Sequence, residues 1–257
     1  MGKDLIYFKI CPQWDTARQK NLFYPSCGKD RSVPLRLFAP YVTDFWFVDK
    51  RYFTAEVDAP ADKQRPLLGK SENYQLEDQS ITGPPNWSRF NQDIEPCILT
   101  ETYRHRTSGR VIRIHRRRGY GFSALRRESA LTRLAIFFYR GDSLGEGGSG
   151  NLWLAPDHLA DVLARLEDGG LIVTDGSNMG RRTGEYQPLI ALRRYTQAYF
   201  EEHGIEDQAI GKTLVELAQP FRNQAGKYFE CVGFAGFRYG PTMIWRVTNK
   251  PSSSPGE

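Results

Sequence analysis

A βαβ pattern of apolar and polar positions occupies Leu134–Asn178. It begins with Leu134–Tyr139, an uninterrupted apolar run of the kind found in strands that are buried on both faces. A glycine-rich stretch follows, and Pro156 then suits the first turn of a helix whose apolar residues recur at helical spacing. After the pair Gly169-Gly170, which ends the helical pattern, Leu171–Thr174 predicts a second buried strand. The pattern predicts a right-handed crossover between parallel strands.

Two further apolar runs lie nearer the N-terminus. Asp4–Ile10 predicts the first strand, and Asp44–Val48 predicts the second, which Asp49 closes. Between them, Thr16–Leu22 is compatible with a helix, and Tyr24–Pro34 has the proline and glycine content of a loop.

An arginine-rich β-hairpin is predicted over Ile98–Arg117, with its turn at Thr107-Ser108-Gly109. It belongs to an excursion at about residues 54–127, whose polar first half is too long for an ordinary connection. Guanidinium groups pair with phosphates and aromatic rings stack on bases, so this segment is a candidate nucleic-acid interface. The nominated residues are Arg104, Arg106, Arg110, Arg113, Arg116, Arg117, Arg118 and Tyr120. The alternative is an exposed hairpin whose solvated charges protect an edge strand.

The C-terminal part adds a helix and a second hairpin. Pro188–His203 has helical spacing, whereas Tyr228–Phe237 and Thr242–Thr248 predict two antiparallel strands joined by a turn with Gly-Pro. Residues 251–257 are small and polar, which predicts a disordered tail. The predicted fold class is α/β: one Rossmann-like domain over residues 1–250, with a mostly parallel sheet flanked by helices and a reversed C-terminal strand.

Composition narrows the class of protein. Apolar residues make up 40% of the 257 positions, which is enough for a core, and the net charge of +5 suits nucleic acid or a phosphorylated ligand without requiring one. No apolar run approaches the roughly 18 residues of a membrane span, and the first residues do not have the layout of a signal peptide. The four cysteines are scattered without a C-x-x-C pair, so we expect no zinc site and a reduced, cytoplasmic setting.

Strand ends carry the candidate catalytic groups. Asp142 and Asp175 each follow a predicted strand, and the carboxyl ends of parallel strands line the ligand crevice of such sheets. The loop Gly141–Gly150 offers backbone N–H groups that can cradle an anion, although it is neither a Walker loop nor a dinucleotide motif. The alternative is a lid with no ligand. We therefore expect Asp142 to point into the crevice and the loop to line the site.

The order of these elements resembles the class I S-adenosylmethionine-dependent methyltransferases. Glu167–Val173 contains the "GG-apolar-apolar" entry to the fifth strand of that family, and Phe229–Val247 matches its C-terminal hairpin. The resemblance leaves Tyr52–Ala130 unaccounted for. It implies a Rossmann-like fold and S-adenosylmethionine as cofactor, with Asp49 holding the ribose. The alternative from the residues alone is that Asp49 caps the next element or pairs with Lys50 or Arg51. Asp142 would lie where substrate and methyl donor meet. The other residues nominated for cofactor binding are Trp14, Ser143, Gly145, Gly147 and Gly148.

The leading functional prediction is a methyltransferase-like protein that acts on a nucleotide or a nucleic acid. The alternative is a non-enzymatic protein that engages an anionic partner through the arginine-rich hairpin. That alternative is favoured by FKICPQW, which lacks the glycine-rich turn that ends the first strand in the family. A third hypothesis is a metal-dependent hydrolase or nuclease that uses Asp49, Asp142 and Asp175 as hard oxygen ligands, although no metal site is assigned.

Overall fold

The computed structural model describes residues 6–10, 20–53, 66–83, 96–142, 149–177 and 184–250. Their strands are β1 (Tyr7–Phe8), β2 (Asn21–Pro25), β3 (Asp44–Asp49), β4 (Tyr74–Thr82), β5 (Ile98–His105), β6 (Val111–Arg118), β7 (Leu134–Tyr139), β8 (Leu166–Thr174), β9 (Phe221–Arg222), β10 (Tyr228–Phe234) and β11 (Met243–Thr248). Their α-helices are α1 (Ser32–Phe38), α2 (Gly121–Arg127), α3 (Pro156–Leu163), α4 (Gln197–Glu202) and α5 (Asp207–Leu217).

The chain divides into two compact units. One is continuous in sequence, Trp14–Leu134, and the other is discontinuous, Met1–Gln13 with Ala135–Glu257. No helix in the described ranges is long and apolar enough to cross a membrane.

The continuous unit contains strands β2 to β6 in the order β2-β3-β6-β5-β4. β2 and β6 both run parallel to β3, with Phe23 opposite Trp46 and Trp46 opposite His115. β4, β5 and β6 form an antiparallel meander. Every residue of β2 and β3 is buried, which explains their continuous apolar character, whereas most of β4 is exposed.

The discontinuous unit has the strand order β1-β10-β11-β8-β7, with β9 also paired to β10. β11 is antiparallel to both of its neighbours, β8 and β10. The backbone N–H of Gly141, just after β7, donates to the carboxylate of Asp175, just after β8, at 3.1 Å. The two adjacent strands therefore end at the same edge and run parallel, as a βαβ unit requires.

The predicted α/β class is confirmed, but a mostly parallel sheet is not. Most strand pairings are antiparallel, because residues 54–127 contribute β4, β5 and β6 to the sheet itself and are not an excursion outside it. The C-terminal hairpin supplies a further antiparallel pair, and the reversed last strand is present as β11. The predicted tail, residues 251–257, lies outside the described residues.

The order of the first strands also differs from the prediction. In Asp4–Ile10 the structure has only the two-residue β1, which pairs antiparallel with β10, and residues 1–5 lie outside the described ranges. The strand that precedes β3 is β2, where a helix and a loop were predicted. Its apolar run is only three residues long before Pro25, so its local pattern is weak, and burial between other elements makes it a strand.

Helix bounds were also predicted incorrectly at two places. Pro188–His203 is not one helix: a 3₁₀ segment ends at Leu189, a second spans Ala191–Arg194, and α4 follows. Pro188 falls inside the first of these segments, where its missing N–H would interrupt a regular helix. β8 begins at Leu166, before the glycine pair, so Gly169 with its φ of 77° lies within the strand and not at a helix end.

Candidate functional site

The carboxyl ends of β2 and β3 bring together three residues that we call the Asp49 site: Gly28, Asp49 and Arg51. The Asp49 side chain closes β3 and is almost fully buried. Its Oδ2 accepts a hydrogen bond from the backbone N–H of Gly28 at 2.9 Å, and its Oδ1 accepts one from the N–H of Arg51 at 2.8 Å. Because β2 and β3 are parallel neighbours, the turn after one strand lies beside the acid that ends the other.

The turn after β2 owes its shape to two residues with positive φ. Ser26 has a φ of 55° and Gly28 a φ of 49°, and at Gly28 the absence of a side chain makes that conformation accessible without strain. A Cβ at Gly28 would stand 3.6 Å from an Arg51 guanidinium nitrogen. The hydroxyl of Tyr24 donates to Asp30 at 2.9 Å and ties the far side of the turn back to β2. The turn is therefore held in position from both ends.

A buried thiol lies beneath this turn. The Cys27 sulfur is in hydrogen-bond contact with the hydroxyl of Tyr52, and the Arg31 guanidinium lies 5.4 Å from the Tyr52 ring. Burial raises the pKa of the Cys27 thiol, and the nearby Asp49 carboxylate raises it further. The thiol stays protonated at neutral pH, so this cysteine supports the turn and is not a nucleophile.

Asp142 lies in the discontinuous unit and is 1% exposed. Its Oδ2 accepts hydrogen bonds from the hydroxyls of Tyr139 at 3.1 Å and Ser149 at 2.6 Å, and its Oδ1 accepts the N–H of Ser149. These contacts join the two ends of the glycine-rich loop, so the carboxylate anchors that loop. The predicted orientation of Asp142 toward the crevice stays a prediction. Five nominated cofactor-binding residues lie outside the described residues: Trp14, Ser143, Gly145, Gly147 and Gly148.

Asp175 is also 1% exposed and fully engaged in local contacts. Its Oδ1 accepts the N–H and hydroxyl of Ser177 at 2.8 and 2.5 Å, and its Oδ2 accepts the N–H of Gly141. Burial raises the pKa of Asp175 in spite of these hydrogen bonds. Its catalytic role stays a prediction. Within the described ranges, no cluster of three His, Cys, Asp or Glu side chains is arranged to hold a metal ion.

Three of the nominated arginines are buried. Arg116, Arg117 and Arg118 are 1%, 0% and 7% exposed. A guanidinium nitrogen of Arg116 lies 3.3 Å from the Glu101 carboxylate, and Nε of Arg117 lies 2.7 Å from Glu128. The end of β6 is covered on both faces, so these side chains do not present a charged surface to nucleic acid. Their role as nucleic-acid contacts stays a prediction, which this burial does not favour.

The other nominated residues form a smaller cationic surface than predicted. Arg104 is bound by Glu77 through two contacts of 2.5 and 3.2 Å, and Arg113 by Asp44 through two of 2.7 and 3.1 Å. The remaining three are at least partly exposed: Arg106, Arg110 and Tyr120.

A hydrogen-bonded row crosses β5, β6 and β3 near the start of β3. The Thr100 hydroxyl lies 3.1 Å from Nδ1 of His115, and Nε2 of His115 lies 3.2 Å from Oδ1 of Asp44. The His115 ring stacks on Trp46 with a centroid separation of 4.2 Å. Burial alone would raise the pKa of Asp44, but hydrogen bonds from His115 and Arg113 outweigh it and lower this pKa to about 2.

We expect Asp44 to stabilise the fold only above the acidic range. Because its pKa falls from 3.8 in the unfolded chain to about 2 in the fold, the contribution is complete above about pH 4 and disappears as the pH falls toward 2. Asp44→Asn should cost about 2 kcal/mol at pH 7 and much less at pH 2.5, as urea unfolding at the two pH values would measure. Asp78→Asn on the exposed β4 is the control, and an Asp44→Asn loss that is equal at both pH values would contradict the assignment.

The chain matches no protein-family model, no curated protein and no solved structure. A functional assignment therefore depends on the geometry described above.

Proposed function

We propose that the chain is an S-adenosylmethionine-dependent methyltransferase-like protein in which the Asp49 carboxylate accepts hydrogen bonds from the ribose of the cofactor. The hydrogen bond from the Gly28 N–H to Asp49, 2.9 Å long, is the observation that carries this proposal. It joins a glycine turn to an acid at the ends of two neighbouring parallel strands. Ligands of open α/β sheets bind at that edge, and an acid there commonly accepts ribose hydroxyls.

The position of β2 supports the enzymatic proposal over the non-enzymatic alternative. FKICPQW has no glycine, but it does not precede β3 along the sheet. β2 does, and the turn that follows it contains Gly28. The feature expected after the first strand of the family therefore has a counterpart beside Asp49, although with one glycine where the family has several.

The reversed last strand gives separate support for the resemblance. β11 lies between β8 and β10 and is antiparallel to both. The family is expected to end on a strand of this kind, introduced by a C-terminal hairpin.

The substrate expected from the sequence, a nucleotide or a nucleic acid, stays a prediction. Of the arginines that suggested it, three are buried and two others are paired with carboxylates. The proposal therefore depends on the cofactor site and not on the hairpin.

Asp49→Ala should weaken binding of S-adenosylmethionine and S-adenosylhomocysteine by about 1.5–3 kcal/mol, the cost of losing a charged hydrogen bond. Isothermal titration calorimetry measures this loss, and circular dichroism checks that the variant stays folded. Asp44→Asn is a matched control, because Asp44 begins the same strand at its opposite end. The proposal would be rejected if the parent binds neither ligand, or if Asp49→Ala binds both as tightly as the parent.

A further inference from the structure

A cavity of about 560 Å³ lies along α1 in the continuous unit, and none of the nominated site residues is among those that line it. Its volume is within the range of small-molecule sites, roughly 300–1,000 Å³. The lining residues are Lys29, Arg31, Ser32, Leu35, Arg36, Ala39, Pro40, Leu67, Leu68, Ser71, Asn73, Tyr74 and His105. Asp49 is not among them, so the cavity is distinct from the Asp49 site.

One wall of the cavity is a single face of α1 and its C-terminal cap. Four lining residues are spaced three, one and three positions apart, which places their side chains on one side of the helix. They are Ser32, Leu35, Arg36 and Ala39. Leu35 and Ala39 are 5% and 6% exposed and make an apolar floor, whereas Arg36 is exposed above it.

The second wall is fixed by hydrogen bonds to the sheet. The N–H of Leu67 donates to the Glu101 carboxylate at 3.3 Å, and the N–H of Leu68 donates to the Tyr103 hydroxyl at 3.1 Å. Farther along, Tyr74 and His105 are register partners, and their rings meet edge to face at 5.0 Å. This wall therefore exists before any ligand arrives.

The charge of the lining is entirely positive. Lys29, Arg31 and Arg36 contribute three cations, and none of the lining residues that the structure describes carries a carboxylate. His105 adds a donor: its Nδ1 accepts the N–H of Ser108 at 3.1 Å, which leaves Nε2 as the nitrogen that carries the proton in the neutral ring.

We infer that this cavity binds a nucleoside monophosphate, with the phosphate at the cationic rim and the base over the apolar floor beside Tyr74 and His105. Lysine and arginine recognise phosphate through charge and hydrogen bonds, and aromatic and aliphatic surface accommodates a base. A cavity lined by cations and no acid disfavours cationic ligands. The inference goes beyond the proposed cofactor site and does not depend on it.

Titration with uridine 5′-monophosphate at low salt tests the inference. The probe lacks the adenine and methionine groups of the cofactor but keeps a ribose, so Asp49→Ala is measured beside it to separate the two sites. Lys29→Gln with Arg36→Gln should weaken its binding at least about tenfold, since charged hydrogen bonds to phosphate are lost. The charge-matched control is Lys70→Gln with Arg106→Gln, two exposed cations outside the cavity, which should change the affinity less than twofold. Ser71→Trp, which fills the cavity from its second wall, should also weaken binding.

Asp49→Ala separates this site from the cofactor site. It should leave uridine monophosphate binding unchanged, whereas Arg36→Gln, on α1 and outside the turn that carries Gly28, should leave S-adenosylmethionine binding unchanged. The inference is overturned if the parent does not bind the nucleotide at millimolar concentration, or if uridine or inorganic phosphate alone binds as tightly. Equal affinity in the Lys29 and Arg36 variant and its control overturns it as well.

Discussion

Glu101→Ala should lower the free energy of unfolding by about 3–5 kcal/mol, because removing one member of a buried ion pair leaves the other charge without its counterion. Glu101 and Arg116 are 0% and 1% exposed, and their charged atoms lie 3.3 Å apart. The same carboxylate accepts hydrogen bonds from Gln79 and from the N–H of Leu67. Arg116 lowers the pKa of Glu101, but burial disfavours the charged carboxylate more strongly, so the pKa of Glu101 is raised.

Glu77→Ala is the matched control for that prediction. It also removes a glutamate paired with an arginine, Arg104, but their side chains are 33% and 50% exposed. An exposed pair contributes about 0–1 kcal/mol, so this variant should unfold at nearly the urea concentration of the parent. Equal losses of stability in the two variants would contradict the prediction that burial makes the Glu101–Arg116 pair contribute more than the Glu77–Arg104 pair.

Gly141→Ala should destabilise the discontinuous unit by about 2–5 kcal/mol, through backbone strain and overpacking together. The φ of Gly141 is +66°, and a Cβ there would lie 2.6 Å from the ring of Tyr239. Gly204 is the control, because its φ is +65° but a Cβ at that position meets nothing within 4 Å. Gly204→Ala should therefore show only the backbone cost, about 1–2 kcal/mol.

The clash part of the Gly141 effect can be measured separately. In a Tyr239→Ala background, Gly141→Ala should cost about as much as Gly204→Ala does, because the ring is gone and only the strained φ remains. Chemical unfolding of the parent, the two single variants and the double variant gives the coupling free energy between Gly141 and Tyr239. A coupling near zero would mean that Tyr239 does not pack over Gly141.

The sequence predicted those strands whose patterns are local. β3 and β7 are long apolar runs, and the β5–β6 and β10–β11 hairpins carry their own turn residues. β2 was missed because Leu22–Tyr24 is short and ends at Pro25, and its strand state depends on β3, which lies elsewhere in the chain. Helix α3 was placed correctly at its start by Pro156, but its end was not marked by the glycine pair.

Of the candidate site, the sequence predicted only the residue that can be recognised from its position in a single strand. Asp49 could be found because it ends an apolar run. Gly28 could not, since its relation to Asp49 arises from parallel pairing of β2 and β3. For the buried arginines the sequence was misleading, because several cations on a hairpin suggest charges exposed to solvent. In the structure Arg116 pairs with Glu101 and Arg117 pairs with Glu128, and these partners explain how the two arginines can be buried.

The pairing of β1 with β10 has a consequence for biosynthesis. Tyr7 lies opposite Phe234, so the first strand finds its partner only after almost the whole chain has left the ribosome. Trp14–Leu134, in contrast, is continuous and contains the pairings of β3 with β2 and β6 and of β5 with β6 and β4. Because domains generally fold in order of synthesis, we expect these pairings to form before β1 pairs with β10.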